Sequence, residues 1–541
     1  MKNAAKAAVV AGSMSSLISA CERQSHSSDY DIVIRNGKIY DGSLDSPYNA
    51  DIGIKKDKID FIGIITGNAA KTINAEGLII TPGFIDIHTH CDLTFKRLGM
   101  KRYLAHFMPS WKGNYNYLYQ GVTAVVTGNC GYGYSDLNAW FDIADGVEFG
   151  SNVYTLVPHG AIRLELFGEN QPGQLNRRQL DMMKVRIEEE MEKGAVGVST
   201  GLAFPPGSNA LTEELIEISK VVRKYNGIYA THIRDESGTL DDQGRTAVEK
   251  AVKEAIEIGR RAEISVEISH LKIDSPINHK TAQTVLEPIE KARGEGLNIT
   301  ADQYPYNAGA QYLTVLLPNN MKQGDKITDD FKTKSGRESI KYEIDKEFSH
   351  MTPDKILVTW DEENEKNEGK TLAEVSELEK RSPVDVFTEM VCADDPPMGV
   401  FFSQDINVVK DIMSHDFIIT ASDGWTIPKD MMKPHPRLYG TFPRKLRKYV
   451  IDEERLSLVS AIRSMTSLPA EKFKMKNRGR LIEGNFADIA IINLKKITDR
   501  ATYVNPHQYA EGIEYLLING GLAIENGKAT GTRFGKSVRM I

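Results

Sequence analysis

The residues best suited to chemistry are histidines, a cysteine and an aspartate that end short apolar runs of this 541-residue chain. His88 and His90 end the run GFIDIHTH, and side chains two positions apart on a strand point to the same side. Three later runs end in single residues of the same kind, namely His232 in IYATHIR, His270 in EISHLK and Asp423 in TASDG. Zinc prefers imidazole, thiolate and carboxylate donors, so this set predicts a metal site.

Cys130 completes the donor set. It follows the run VTAVVTGN, where neighbouring glycines let the backbone turn sharply and direct the sulfur inward. A thiolate is a strong zinc ligand that can also bridge two ions, although from the residues alone a free thiol remains an alternative. The two other cysteines of the body, Cys91 and Cys392, are interpreted as structural, because small buried thiols are common in protein cores.

The elements that must position these residues alternate between two patterns. Eight apolar, β-branched runs are separated by amphipathic helical stretches such as RTAVEKAVKEAIEIGRRA. Each run begins apolar and ends in His, Cys, Asp or Tyr, and this is the end at which α/β barrels carry catalysis. The sequence therefore predicts an α/β fold with a (β/α)8 TIM-like barrel.

The chain is expected to divide into further regions around this barrel. Short alternating runs at 30–81 and 479–541 predict a small β-sandwich built from both chain ends, because neither end has enough strands alone. The barrel with its metal site is expected at 82–478. A long stretch rich in Lys, Glu and Asp separates strands 7 and 8, which predicts an inserted lid at about 308–414.

The N-terminal segment 1–29 has the layout of a secretory signal. Lysines precede a mildly apolar stretch, and the lipobox-like ISAC precedes a polar tether. This layout predicts a lipoprotein-like leader, a lipid anchor at Cys21 and a location in the cell envelope or periplasm, with a cytoplasmic protein as the alternative. A net charge of -7 and the lack of a basic cluster with aromatics exclude nucleic acid as an expected partner. No oligomeric state is predicted.

Several motifs together resemble those of a known family. The chain is similar to the N-acyl-D-amino-acid deacylase (D-aminoacylase) family of the amidohydrolases in TPGFIDIHTHCD, GNCGYG, GLAFPPG, THIRDE, SHLK, YPYNAG, SDGW and HPRLYGTFPR. These motifs lie within residues 30–528, which is most of the chain. The resemblance implies zinc-dependent cleavage of the linear amide bond of small N-acyl-D-amino acids, giving a carboxylate and a free D-amino acid.

The resemblance also implies a role for each site residue. One tightly held Zn²⁺ would be bound by Cys130, His232 and His270. A second, weaker site would use His88, His90 and Asp423, with Cys130 close enough to bridge. Lys272 and Tyr306 would bind the substrate α-carboxylate. Apart from the resemblance, the position of Asp423 near the metal predicts that it is the catalytic residue, taking a proton from the attacking water and passing it to the leaving amine.

Alternatives to this interpretation remain open at the level of sequence. Ala310 stands where the family can carry Ser, and LLPNN lacks an Arg for a second carboxylate, so the preferred side chain is undefined. Rival functions are a cyclic-amide hydrolase of hydantoinase or dihydroorotase type, a dipeptidase-like amidohydrolase, and an inactive barrel kept for binding. The first is disfavoured because Cys130, rather than a lysine, is the bridging candidate. The last is disfavoured because all six candidate metal ligands are present.

Overall fold

The computed structural model of the protein describes residues 25–26, 29–97, 113–146, 148–168, 172–274, 281–323, 326–427 and 431–540. Cys21 and most of the predicted leader lie outside these residues. Across the described ranges, no helix combines the length and the apolar character that a membrane crossing requires.

Two parallel sheets carry the candidate metal residues at or just beyond their strand ends. One sheet has the strands Phe84–Asp86, Val122–Thr127 and Asn152–Thr155. The other has Val157–Pro158, Gly197–Gly201, Ile228–His232, Ser265–Ile268, Ile299–Gln303 and Ile418–Thr420. Most of their residues are buried, as parallel strands covered on both faces require. The predicted α/β class is confirmed.

Helices follow most of these strands and cover the sheets. They include His159–Phe167, Arg177–Glu192, Thr212–Lys224, Ala247–Ala262, Gln283–Gly294, Arg437–Arg444, Leu458–Met465 and Ser467–Lys472. The helix Ala247–Ala262 shows why the sequence folds this way. The Thr246 side chain caps its first turn by accepting from Glu249 N at 3.2 Å, and Val248, Val252 and Ile256 lie on its buried face.

Strands from both chain ends share one sheet of seven strands. Ile79–Pro82 pairs antiparallel with Ile489–Ile492, which pairs in turn with Ile513–Ile518. A separate sheet of five strands contains Tyr30–Arg35, Asp51–Lys55, Lys58–Ile65 and Ala69–Asn74. Isoleucines of the two sheets meet in one buried cluster, so the two ends support each other. The division into domains stays a prediction.

The segment between the last two parallel strands has structure of its own. The strands Gly309–Tyr312, Met398–Phe401 and Ile356–Trp360 form an antiparallel sheet. The helices Lys334–Glu347, Leu372–Glu379 and Pro383–Val391 accompany it. A buried apolar cluster that includes Cys392 fills the space between these elements, and this burial supports the structural interpretation of that cysteine.

Candidate metal centre

Cys130 lies among the imidazoles of the candidate site. Its Sγ is 3.3 Å from His88 Nε2 and 3.7 Å from His270 Nε2. In a tetrahedral site with a Zn–S distance of about 2.3 Å and a Zn–N distance of about 2.0–2.1 Å, sulfur and nitrogen stand roughly 3.5 Å apart. The observed separations therefore suit donors of a common ion.

All six residues predicted as ligands come together, although they approach from different strands. Donor atoms lie within 4.8 Å of one another in three groups: His88, His90 and Cys130; Cys130, His232 and His270; and His88, His270 and Asp423. Asp423 Oδ1 is 3.1 Å from His90 Nε2 and 3.5 Å from His88 Nε2. Cys130 belongs to two groups, which is the placement a bridging ligand needs. Which ions these residues bind stays a prediction at this point.

The electrostatic surroundings favour the ionised forms of Cys130 and Asp423. Burial opposes ionisation of the Cys130 thiol, but the charge of His88 and hydrogen bonds from His232 and His270 bring its pKa well below the ordinary value. Burial likewise opposes ionisation of Asp423, yet Arg437 and His88 hold its pKa well below the usual range. Both side chains are thus anionic donors at neutral pH.

Three of the candidate ligands have backbones in the left-handed region. The φ angles are 53° at Cys130, 34° at His270 and 48° at Asp423. A residue with a side chain rarely adopts such angles, because each instance costs about 1–3 kcal/mol. Such strained residues persist where the surrounding structure holds them, and they cluster at functional sites. Gly128 supports the turn at Cys130, because its φ is 74° and a Cβ there would lie 2.4 Å from Leu156 O.

Asp302 is a buried carboxylate that sequence reasoning did not single out. It accepts a hydrogen bond from His270 N at 2.8 Å, and its other oxygen lies 3.2 Å from His88 Nδ1. A carboxylate on the far nitrogen of a ligand histidine fixes the ring and directs the other nitrogen at the metal. Its position at the end of the seventh run, in TADQYPY, was the available signal.

Glu236 is a second residue that the sequence analysis missed. Its Oε1 lies 2.9 Å from His270 Nδ1 and 2.5 Å from Lys272 Nζ, and its Oε2 lies 3.4 Å from His232 Nε2. Burial opposes its charge, but Lys272 and the two histidines lower its pKa well below the ordinary value. Glu236 therefore holds the His270 ring, lies beside His232 and forms an ion pair with the Lys272 ammonium. Its spacing of four residues after His232 was the only sequence signal.

Two connected cavities open at the metal centre, and both are lined by His232, His270, Asp423 and Arg437. The larger, of about 510 Å³, is called the polar lobe and is also lined by Lys272 and Tyr304. The smaller, of about 360 Å³, is called the aromatic lobe and is also lined by Leu93, Tyr132, Met398 and Trp425. Phe204 and Tyr312 line both lobes. The site is therefore a cleft with metal donors at its centre, where Lys272 and Tyr304 distinguish one lobe and Tyr132 and Trp425 the other.

The polar lobe contains only one of the two residues predicted to bind the substrate carboxylate. Lys272 lines it, whereas Tyr306 does not. The Tyr306 hydroxyl is 3.4 Å from Pro436 O, and the Arg444 guanidinium lies 4.5 Å from the centre of its ring. Tyr304, two residues earlier, takes the place at the cavity wall. The role given to Tyr306 stays a prediction without a contact to the cavity.

Arg437 is the other functional residue that was overlooked, although its motif HPRLYG was noticed. Its guanidinium lies 4.7 Å from the centre of the Tyr304 ring and 2.9 Å from Asp423 Oδ2. His435 in the same motif accepts from Arg437 N at 3.0 Å and lies 3.0 Å from Ala308 O through Nε2. Burial and Arg437 lower the pKa of His435 well below its ordinary value, so this histidine is neutral and supports the loop.

A parallel α/β scaffold with histidines, a cysteine and an aspartate gathered at its strand ends defines a protein of the amidohydrolase class. The model of the Amidohydrolase family matches residues 365–523. The N-acyl-D-glutamate deacylase of Alcaligenes xylosoxydans xylosoxydans is 32% identical over 91% of this chain and 93% of the relative. The chain belongs to the N-acyl-D-amino-acid deacylase family of the amidohydrolases, which confirms the resemblance seen in its motifs.

Other members of the family agree over nearly the whole length. The D-aminoacylase of Alcaligenes xylosoxydans xylosoxydans is 29% identical over 95% of this chain and 98% of its own. Among solved structures, the N-acyl-D-glutamate deacylase of Bordetella bronchiseptica, complexed with zinc and a phosphonate inhibitor that mimics the tetrahedral intermediate, matches with a TM-score of 0.78. It is 28% identical and covers 95% of this chain and 100% of its own.

Proposed function

We propose that this protein is a zinc-dependent hydrolase that cleaves the amide bond of N-acyl-D-amino acids, giving a carboxylate and a free D-amino acid. The observation that carries the proposal is the polar lobe, where Lys272 and Arg437 lie beside the metal donors. Each is paired with one carboxylate, Glu236 or Asp423, and keeps further N–H groups for a substrate carboxylate. A hydrolytic metal next to a carboxylate-binding group suits an acylated amino acid. The relatives named above as deacylases of N-acyl-D-glutamate and as D-aminoacylase favour the same substrate class.

The donor set suits zinc in its chemistry as well as in its spacing. Cys130, His232 and His270 would hold the tighter ion, and His88, His90 and Asp423 a weaker one, with Cys130 between the two. Thiolate and imidazole donors favour zinc over magnesium or calcium, which prefer oxygen. When bound, zinc polarises the scissile carbonyl and lowers the pKa of water toward about 7.

Asp423 is the residue that moves the proton. It lies at the junction of the two lobes, 3.1 Å from His90 Nε2 and 2.9 Å from the Arg437 guanidinium. Its carboxylate would accept a proton as water attacks the amide carbonyl. It would then donate that proton to the nitrogen of the departing amino acid, so one residue acts first as base and then as acid.

Lys272, Arg437 and Tyr304 would bind the α-carboxylate. Burial disfavours the charge of Lys272, but Glu236 raises its pKa above the ordinary value, so the ammonium group is retained. The Tyr304 hydroxyl accepts from Gln404 Nε2 at 3.3 Å and its own hydrogen remains available to a carboxylate oxygen. Charge-assisted contacts of this kind fix the substrate in one orientation.

The elements around the site suit a barrel enzyme with a lid over its cleft. The parallel strands would close into a (β/α)8 barrel, for which the parallel bridge between Thr89 and Gly424 and the continuous chain at 152–158 are the supporting observations. The segment at about 308–414 would act as a lid, because Ala310, Gln311 and Tyr312 line both lobes. Cyclic-amide hydrolysis has less support, because a cysteine rather than a lysine lies between the donors.

Lys272→Ala should mainly weaken substrate binding. For N-acetyl-D-methionine, we expect KM to rise about 10- to 100-fold with a smaller change in kcat, because a charge-assisted hydrogen bond contributes about 1.5–3 kcal/mol. Steady-state kinetics on zinc-loaded protein would measure both constants. Lys272→Met, which keeps most of the side-chain length but not the charge, should behave in the same way.

The amide of the same substrate provides the matched control. N-acetyl-D-methionine amide lacks the carboxylate, so the substitution at Lys272 should change its kcat/KM by less than about threefold, as expected when a partner group is missing. An equal loss on both substrates would mean that Lys272 does not recognise the carboxylate, and the proposed orientation would be wrong.

A further inference from the structure

The two lobes place different chemistry on the two sides of the scissile bond. Lys272 and Tyr304 line only the polar lobe, whereas His90 and Cys130 line only the aromatic lobe. In an N-acyl amino acid, the acyl chain and the α-carboxylate leave the amide group in opposite directions. If the carboxylate lies in the polar lobe, the acyl chain must enter the aromatic lobe.

The aromatic lobe has apolar walls of its own, in addition to Phe204 and Tyr312, which line both lobes. Tyr132 and Phe204 stack with their ring centres 5.0 Å apart and their planes 10° from parallel. Leu93, Met398 and Trp425 extend this apolar surface. Aromatic and aliphatic side chains of this kind bind apolar groups because they exclude water from them.

The charged groups of the aromatic lobe lie mainly where the metal centre opens into it. Beyond the candidate metal ligands and Arg437, the lobe's charged lining residue is Lys96. The Lys96 ammonium donates to Gly133 O at 2.8 Å, which draws it toward the backbone. A charged acyl group would therefore find little to bind in this lobe, and an apolar one would find much.

The aromatic lobe is larger than an acetyl group requires. Its volume is about 360 Å³. Part of this space lies between the metal donors, but a water molecule takes only about 30 Å³ in the liquid, so an acetyl methyl would leave space beside Tyr132 and Trp425 unfilled. A chain of several methylenes or an aromatic ring would fill it and gain the energy of burying apolar surface.

We propose that the aromatic lobe is the acyl-binding site and that the enzyme prefers a medium-length apolar acyl group to acetyl. The inference rests on the proposed function, and it adds the chemical class of the acyl group. Tyr132 and Trp425, which line this lobe and not the polar one, are its specificity-determining residues. They act on the ratio of rates between acyl groups, whereas the residues of the polar lobe act on the amino-acid part.

The test is a series of N-acyl-D-methionines with acetyl, butanoyl and hexanoyl groups, assayed on zinc-loaded protein. We expect kcat/KM to rise about three- to fourfold per added methylene until the lobe is filled, since each buried methylene contributes about this factor. A flat or falling series would overturn the inference. Hydrolysis of none of the three would instead refute the proposed function, so the two failures are distinguishable.

Two variants of the aromatic lobe and one control variant of the polar lobe test this assignment. Trp425→Ala and Tyr132→Ala should each reduce the hexanoyl-to-acetyl ratio of kcat/KM at least threefold, because they remove apolar wall. Val315→Ala, in the polar lobe only, should leave this ratio unchanged. Hexanoate should also inhibit the wild-type protein more strongly than acetate, a binding measurement that needs no variant to fold. Equal inhibition by the two acids, or equal changes in all three variants, would contradict the assignment.

Discussion

Asp423→Asn is expected to lower kcat about 10³- to 10⁴-fold while leaving the zinc content nearly intact. The substitution keeps the shape of the side chain but removes the group that accepts and returns the proton, and general acid–base catalysis contributes factors of this size. The tighter ion would remain, because Cys130, His232 and His270 are unchanged. Kinetics with N-acetyl-D-methionine and elemental analysis of the same preparation would measure both properties.

The control is Asp345→Asn, an exposed aspartate on the helix Lys334–Glu347. It makes the same chemical change at an exposed position that lines neither lobe, and it should leave kcat and zinc content as in the wild type. If Asp423→Asn retained wild-type kcat, the assignment of the proton transfer to this residue would be lost. If Asp423→Asn lost its zinc together with its activity, Asp423 would be a ligand of the tighter ion instead.

Cys130→Ala should remove zinc and activity together. Its sulfur belongs to two of the three donor groups, so one substitution affects both predicted ions. Loss of a residue that merely orients a ligand already reduces metal affinity about 10- to 100-fold, and loss of a thiolate ligand should cost more. We expect dialysed protein to contain less than half the wild-type zinc and kcat/KM to fall more than about 1000-fold.

The chain supplies matched cysteine controls. Cys91 and Cys392 are also buried and free, and burial raises the pKa of both thiols, to about 12 at Cys91. Cys91→Ala and Cys392→Ala should keep wild-type zinc content, even where a small cavity lowers stability by about 1 kcal/mol. Zinc loss in these variants as large as in Cys130→Ala would indicate that unfolding, not ligation, determines the metal content.

The donor set was predictable from the sequence because its members share a simple pattern. His88, His90, His232 and His270 each end an apolar run, and the ends of parallel strands meet on one face. Cys130 was identified by the glycines beside it. The pairing of the two chain ends was anticipated for a similar reason, since each end alone had too few strands to form a sheet with a buried face.

The supporting residues were not predictable in the same way. Asp302 and Glu236 contact ligand rings that are distant in sequence, at His88 and His270, and the weak signals in their own segments do not reveal those contacts. Arg437 lies in the motif HPRLYG, and only the folded chain places its guanidinium at Asp423. The left-handed backbones of His270 and Asp423 are likewise set by tertiary structure, because neither residue type predicts a positive φ angle by itself.

The sequence pointed to Tyr306 as a carboxylate-binding residue, whereas Tyr304 lines the polar lobe. Tertiary packing again explains the difference. Both tyrosines lie in YPYNAG just beyond the strand Ile299–Gln303, where strand alternation no longer determines which side chain faces the site. Tyr306 instead packs against Arg444 and His435 and lines neither lobe, while its predicted role in binding the carboxylate stays a prediction. A family motif such as YPYNAG therefore predicts which segment lies at the site more securely than it predicts which of its side chains contacts the cavity.

Whether the protein is a zinc-dependent deacylase of D-amino acids can be measured by comparing N-acetyl-D-methionine with N-acetyl-L-methionine on purified protein of known zinc content, with and without a chelator. Release of the free amino acid is the quantity measured. We expect release from the D form alone, loss of that release on removal of zinc, and its return when zinc is restored. Release from neither form despite bound zinc, or equal release from both, would contradict this expectation.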